Sequence, residues 1–494
     1  MDVQAAHSAE VPPVPGAGAG VEDTAASGAE RAGTDAAGAE RAPGAVATLL
    51  TVGLGTLVTL MAFTAPASTL AATAGGLHAG PVAQTWMFTG TPVGLAALLL
   101  TAGSAADARG RRRVFGAGAV LLVLASVLSA AAPDTALFLT GRILQGAASA
   151  AVLASGLGLI AQTHPAGPHR VRALGFFGAT LGAGIALGPA YAALLTQVWG
   201  WRSLYWGLAV LAAVTAVATR SVPESRAERA RGLDLSGALV LGAGIACLVA
   251  AFGEGRGGWT RAAVLVPLAA GSALLALFGA VERRVGEPML DPALWRSRAF
   301  LAAGAGAFST GLAVVGLFSY LPTELELVLG MSPLAASLLF IVWAGVSAVT
   351  ALFARHLAGR IGAAAQVALG LLLSGAGQAA LYGLRAGGSY GHLVPGLAVA
   401  GIGGGVLNAA LARLAVSSVP ADRSAMGSGA NNTARYVGSA LGLALTVSVA
   451  SAAHGRTPAA ALAAGANRGF LVSAAICAAG AAVVLLAGRE RPGR

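Results

Sequence analysis

Apolar residues in this chain gather into runs far longer than a soluble helix needs, and the charges fall between the runs. The pattern predicts spans at about 46–73, 81–105, 113–132, 135–161, 171–195, 203–219, 234–253, 261–281, 299–323, 333–354, 361–383, 390–416, 430–452 and 469–487. A helix crosses roughly 30 Å of hydrocarbon in roughly 20 residues, which matches these lengths. In lipid the backbone must satisfy its own hydrogen bonds, and a helix does so within each segment. Strands of a membrane barrel would alternate polar and apolar with period two, and these runs do not. Short connections make neighbouring helices antiparallel. The expected fold is all-α and membrane-integral, with fourteen transmembrane helices.

Composition agrees. Hydrophobic residues make up 56% of the 494 and charged residues 10%, against about 25% charged in soluble domains. Every basic residue is Arg, and the net charge is +11. In a soluble protein that balance would point to nucleic acid. Here the Arg residues lie in the loops, so membrane topology explains them. With the N-terminus in the cytoplasm, the cytoplasmic segments hold 24 Arg and the outer segments 6, with Arg142 left inside a span. An odd number of spans would scramble that split. Residues 1–44 are rich in Ala, Gly and Pro, acidic and without periodicity, and are expected to be a disordered cytoplasmic tail. They lack the basic start of a signal peptide. Cys247 and Cys477 sit in apolar runs and offer neither a disulfide framework nor a metal site.

Four motifs carry function. Between spans two and three lies GSAADARGRRRV, with Gly103, Asp107, Gly110, Arg111, Arg112 and Arg113. Gly103 is read as a close helix contact and Gly110 as the turn. Asp107 at the membrane edge can pair with Arg or cap a helix N-terminus. A degenerate copy, ARHLAGRIG, keeps Arg360 and Gly362 between spans ten and eleven. Span four contains RILQGAA, with Arg142 and Gln145. An Arg inside a span costs roughly 2.5–3.5 kcal/mol on insertion scales, so it should face protein or water. Span five contains GAGIALGPAYAA, where Gly182, Gly184 and Gly188 permit close packing and Pro189 bends the helix. Asn408 is a polar group within span twelve. Asn431, Asn432 and Arg435 are read as an end cap and interfacial charge opening span thirteen.

The Gly-x-x-x-Asp-x-x-Gly-Arg-Arg loop resembles the signature of the major facilitator superfamily. The Arg-x-x-Gln-Gly of span four resembles the superfamily's fourth-helix motif, and the Gly-x-x-x-Gly-Pro of span five resembles the motif of its antiporter branches. The stretch from Pro395 to Gly442 resembles the corresponding region of the fourteen-span drug:proton antiporters. The resemblance covers about residues 45–487. It implies a six-helix bundle at 45–220, a linker with two extra helices at 221–298, a second bundle at 299–487 and a cytoplasmic tail at 488–494. It also assigns Arg142 to proton transfer, the 103–113 loop to conformational gating, and Gly184, Gly188 and Pro189 to the antiporter motif. Gln145 and Asn408 are candidate polar groups of the cavity.

One departure stands out. The family usually carries an Asp in span one ahead of an Asn and a Pro, and LMAFTAPASTLAATAGG has no acid. The acids in the outer half of a span are Glu324 and Glu326. They are either proton carriers or an acidic rim at the interface. The expected function is secondary active transport: proton-coupled efflux of hydrophobic or amphipathic small molecules by alternating access through a largely apolar cavity. A dedicated metabolite exporter or importer is the alternative, and a membrane sensor or enzyme is less well supported. No cofactor, metal or nucleic acid is expected. The partners are a small-molecule substrate, protons and the bilayer. The chain is expected to work as a monomer in the cytoplasmic membrane with both termini inside.

Overall fold

A computed structural model describes residues 44–164, 168–226, 235–255, 258–284, 294, 296–354, 357, 360–419, 424–455 and 457–488. Apart from Gly44 and Gly488, both predicted tails lie outside the described residues. Among the described residues there is no strand, and fourteen helices are long and apolar enough to cross a membrane. They are α1 (Ala45–Thr64), α2 (Pro81–Arg109), α3 (Arg111–Ala131), α4 (Thr135–Thr163), α5 (Pro168–Trp199), α6 (Arg202–Ala218), α7 (Leu235–Glu254) and α8 (Ala262–Glu282). They continue with α9 (Arg298–Leu329), α10 (Pro333–Phe353), α11 (Ala363–Ala380), α12 (Leu393–Ser417), α13 (Ser424–Ser451) and α14 (Pro458–Gly488). Fourteen helices that alternate in direction put Gly44 and Gly488 on one face, the terminal face, and the α1–α2 and α9–α10 connections on the far face, where Ser68 meets Ser337.

Local chemistry sets the helix starts. Asp134 accepts from the Leu137 amide at 2.8 Å to begin α4, and Ser297 accepts from Phe300 at 3.3 Å to begin α9. Ser332 caps α10 ahead of Pro333, where a missing N–H costs nothing. Two long helices are irregular. After α1 the chain tightens into a 3-10 turn at Ala65–Ser68 and resumes as a short helix, Leu70–Gly76. The cause is Pro66, which cannot donate to the Ala62 carbonyl. Helix α9 carries a π-helical stretch at Thr310–Val315.

Sequence boundaries fail at three ends. Span thirteen begins at Ser424, so Asn431, Asn432 and Arg435 are mid-helix residues and not an end cap. Span fourteen begins at Pro458, which puts Arg468 within it, and span nine runs on to Leu329. Polar side chains that face other helices lower the hydropathy of a segment without taking it out of the membrane.

Buried side chains form one large cluster within α9–α12 and α14, and two others centred on α1–α6. Helix α13 belongs to the second set through Tyr436, Leu441 and Leu443. It also packs backbone to backbone on the π stretch of α9. A Cβ on Gly438 would stand 3.0 Å from the Leu312 nitrogen, and one on Gly316 would stand 2.8 Å from the Gly442 Cα. Helix α7 rests on α2 and α13, with Gly242 against Ala97 and Gly255 against Ser448. Helix α8 packs on α7 and leaves Leu265, Val266 and Leu277 exposed.

Candidate functional site

A cavity of about 60 Å³ lies where α1, α5, α9, α10, α12 and α13 converge. Its walls are mostly apolar: Leu60, Phe63, Leu181, Ile185, Val314, Val315, Trp343 and Leu407. The polar lining is Thr310, Asn408, Arg435 and Tyr436. A drug-sized ligand needs roughly 300–1,000 Å³, so the cavity is contracted in this conformation. Its far side is closed by contacts between early and late helices. The Ser68 and Ser337 hydroxyls are 2.8 Å apart, Thr323 Oγ1 donates to the Ala67 carbonyl, and Phe88 meets Tyr320 edge to face at 5.5 Å. Asn408, in the lining, is exposed.

Arg142 lies beyond the cavity, fully buried among α1, α2 and α4. Its Nε donates to the Met87 carbonyl at 3.1 Å, and its Nη1 to the Ala62 carbonyl at 3.0 Å and to Gln145 Oε1 at 2.5 Å. Among the described residues Nη2 has no hydrogen-bond partner and no carboxylate pairs with the guanidinium. Backbone carbonyls thus carry the work that a counter-ion does in most buried ion pairs. The Ala62 carbonyl is the one that Pro66 leaves free. Gln145 corrects an expectation: it is fully buried, its Nε2 donates to Ser126 Oγ at 3.0 Å, and it does not line the cavity. Asn408 does line it. The cavity residue that sequence reading placed elsewhere is Arg435. Its polar surroundings in GSGANNTAR hide a helix whose Asn431 is turned inward, donating to the Ala303 carbonyl at 3.1 Å.

The α2–α3 loop is built around Gly110, whose φ of +109° suits glycine alone. Asp107 pairs with Arg111 at 2.8 Å, and Arg111 also reaches the Gly158 carbonyl and Gln162 Oε1, both at 3.4 Å. The cap of α3 comes from a residue that no motif marked. Glu224 accepts from the Arg112 amide at 3.1 Å and lies 3.6 Å from Arg113 Nε, while the Arg111 amide donates to the Ser225 carbonyl at 2.8 Å. Arg112 Nη1 donates to the Val222 carbonyl at 3.2 Å. Gly103 is not a close contact, since a Cβ there would meet only Ala154 at 4.0 Å. The close glycines of α2 and α4 are Gly94 and Gly146, with a Cβ on Gly146 standing 2.9 Å from the Gly94 Cα.

In α5, Gly184 and Gly188 lie against α1. A Cβ on Gly184 would stand 2.6 Å from the Leu57 oxygen, and one on Gly188 would stand 3.1 Å from the Met61 Cα. Gly182, expected to share this packing, has nothing within 4 Å of such a Cβ. Pro189 deprives the Ile185 carbonyl of its helical donor, and Thr64 Oγ1 from α1 donates to it at 3.3 Å. Each of these two helices therefore bears a proline-freed carbonyl that another helix satisfies.

Glu324 is 3% exposed, and among the described residues neither carboxylate oxygen has a hydrogen-bond partner. It faces α14, with Oε1 3.9 Å from where a Cβ on Gly469 would be. Glu326 is half-buried. Neither glutamate lines the cavity. In the second-half loop, Gly362 precedes α11 and Arg360 is exposed in a turn. Positions 355, 356, 358 and 359 of that motif lie outside the described residues.

The Major Facilitator Superfamily profile matches residues 52–443. The multidrug resistance protein Stp of Mycobacterium tuberculosis is 33% identical over 369 residues, 74% of this chain and 68% of that protein. The puromycin resistance protein of Streptomyces alboniger is 33% identical over 390 residues, covering 76% and 77%. The cephamycin export protein of Amycolatopsis lactamdurans is 32% identical over 401 residues, covering 77% and 79%. In fold, the crystal structure of the human organic anion transporter MFSD10 matches with a TM-score of 0.58 at 18% identity, over 89% of this chain and 99% of that one. A family profile across most of the chain, on a bundle with fourteen apolar helices among the described residues and a cavity where six of them meet, establishes that this protein belongs to the Major Facilitator Superfamily of membrane transporters.

Proposed function

We propose that the protein exports hydrophobic or amphipathic small molecules across the cytoplasmic membrane, in exchange for protons, as a monomer with both termini inside. The observation that carries this reading is the mostly apolar cavity at the meeting of early and late helices, closed on its far side. Residues 45–220 and 299–487 rock against each other about that cavity, and residues 221–298 add the α7–α8 pair at its flank. Similarity to resistance and export proteins supports the outward direction. Arg142 holds the broken end of α1, and the α2–α3 loop gates the terminal side. Glu324 is the principal proton carrier and Glu326 an auxiliary one, because Glu324 is a carboxyl with no fixed partner among the described residues.

Dye efflux from a pump-deficient bacterial host expressing the protein tests the reading. Export should appear on expression and collapse with an uncoupler. Export that survives the uncoupler would remove the antiport part. Export of a single compound in place of several dyes would favour a dedicated metabolite exporter, a reading supported by the likeness to the cephamycin export protein.

A further inference from the structure

The cavity is apolar in area but one-sided in its chemistry. The Arg435 guanidinium lines it near the middle of α13, with its carbon 5.2 Å from the Tyr436 ring centroid. Among the described residues no carboxylate pairs with Arg435. Trp343 also lines the cavity, is 8% exposed, and has an indole N–H without a partner among the described residues. Asn408 adds an amide from α12. No Asp or Glu is in the lining. Arg435, Asn408 and Trp343 thus bring donor groups to a lining, shared with the Thr310 and Tyr436 hydroxyls, in which nothing carries negative charge. A cation would meet like charge there, whereas a carboxylate, phenolate or sulfonate would meet a guanidinium fork suited to two-point binding. The remaining surface is aliphatic, with the aromatic rings of Phe63, Trp343 and Tyr436 set among Leu, Ile and Val side chains. Phe63 meets Tyr436 edge to face at 6.1 Å, and Phe318 stacks behind Trp343 at 4.4 Å and 14°. A flat ring system fits such walls.

We propose that the cavity selects amphipathic anions: planar aromatic molecules whose acidic oxygens are held by Arg435 and the Trp343 indole, with Asn408 as a further donor. This rests on the efflux reading above and narrows it to a substrate class. Arg435 is the group that sets charge preference, and Trp343 is both wall and donor. Glu324 and Glu326 lie outside the lining, so proton and substrate occupy different places.

Fluorescein and rhodamine 6G share a xanthene core and carry opposite charge near pH 8, which makes them suitable probes. The full-length protein in nanodiscs of uncharged lipid is titrated with each and followed by fluorescence anisotropy. We expect fluorescein to bind at least about tenfold tighter, the low end for hydrogen bonds to a charged group. Arg435→Gln should weaken fluorescein about tenfold or more and leave rhodamine 6G unchanged or tighter. Arg435→Lys should retain part of the preference, and Trp343→Phe should weaken fluorescein by a smaller factor. Equal or tighter binding of rhodamine 6G by the unmodified protein overturns the proposal, and that arm needs no variant to fold. Wild-type fluorescein affinity in Arg435→Gln overturns it as well. Transport in proteoliposomes separates the two readings. Proton-driven export of rhodamine 6G without preference for fluorescein sinks the anion proposal and leaves efflux standing, while export of neither dye sinks both.

Discussion

Arg142 Nη1 lies 3.0 Å from the carbonyl oxygen of Ala62, the acceptor that Pro66, four residues on, cannot serve. The charge in span four thus completes the backbone of span one, at the break that leads into the short helix Leu70–Gly76.

Removing Arg142 should therefore cost stability as well as transport. Arg142→Met leaves the Ala62 carbonyl and Gln145 Oε1 without their donor, about 1–3 kcal/mol for each buried polar group left without a partner. Pro66→Ala restores an N–H to Ala62 and should recover part of the loss. A double-mutant cycle by thermal unfolding in detergent should give a coupling of about 1 kcal/mol. Strict additivity would show that the two residues do not share the carbonyl.

Glu324→Gln should abolish the response of transport to a pH gradient while leaving substrate exchange between equal pH compartments intact. Glu326→Gln should have the smaller effect, because its side chain is only half-buried. Proteoliposomes loaded with substrate and given an imposed gradient measure both. A wild-type gradient response in the double variant would move proton coupling elsewhere.

The glycines separate cleanly. Gly188→Leu and Gly184→Val should disable transport, since a Cβ at either position already crowds α1. Gly182→Ala and Gly103→Ala should be silent, because there is room for a methyl group at both. Dye efflux with surface-expression controls distinguishes these pairs.

Glu224→Ala removes the side chain that caps α3 and should lower stability by about 0.5–2 kcal/mol, as lost helix caps do. Asp107→Asn removes a partly exposed ion pair worth about 0.2–1 kcal/mol in stability. Its effect should fall on turnover more than on the melting temperature. Thermal melts set beside transport rates check both.

Most of the fold was legible in the sequence because lipid permits so few ways to satisfy a backbone, and runs of some 20 apolar residues leave only helices. The motif residues were legible as places, and less so as contacts. Gly110 declared its turn through local chemistry, as did Pro189 the loss of a helical donor to Ile185. Glu224 did not, because its role depends on α6 bringing the chain back beside α3. Arg435 was misplaced for a related reason. The residues before it, among them Ser428, Asn431 and Asn432, read as the polar end of a span when hydropathy is summed along the chain. What decides is which neighbour each side chain faces, and Asn431 faces the Ala303 carbonyl.

The segment from Val222 to Ser225 is fastened to the α2–α3 turn by the backbone amides of Arg111 and Arg112 and by the Arg112 side chain. The same segment follows directly on α6, so a shift of that turn would be passed to α6 as well as to α2 and α3, and the three helices answer to one displacement.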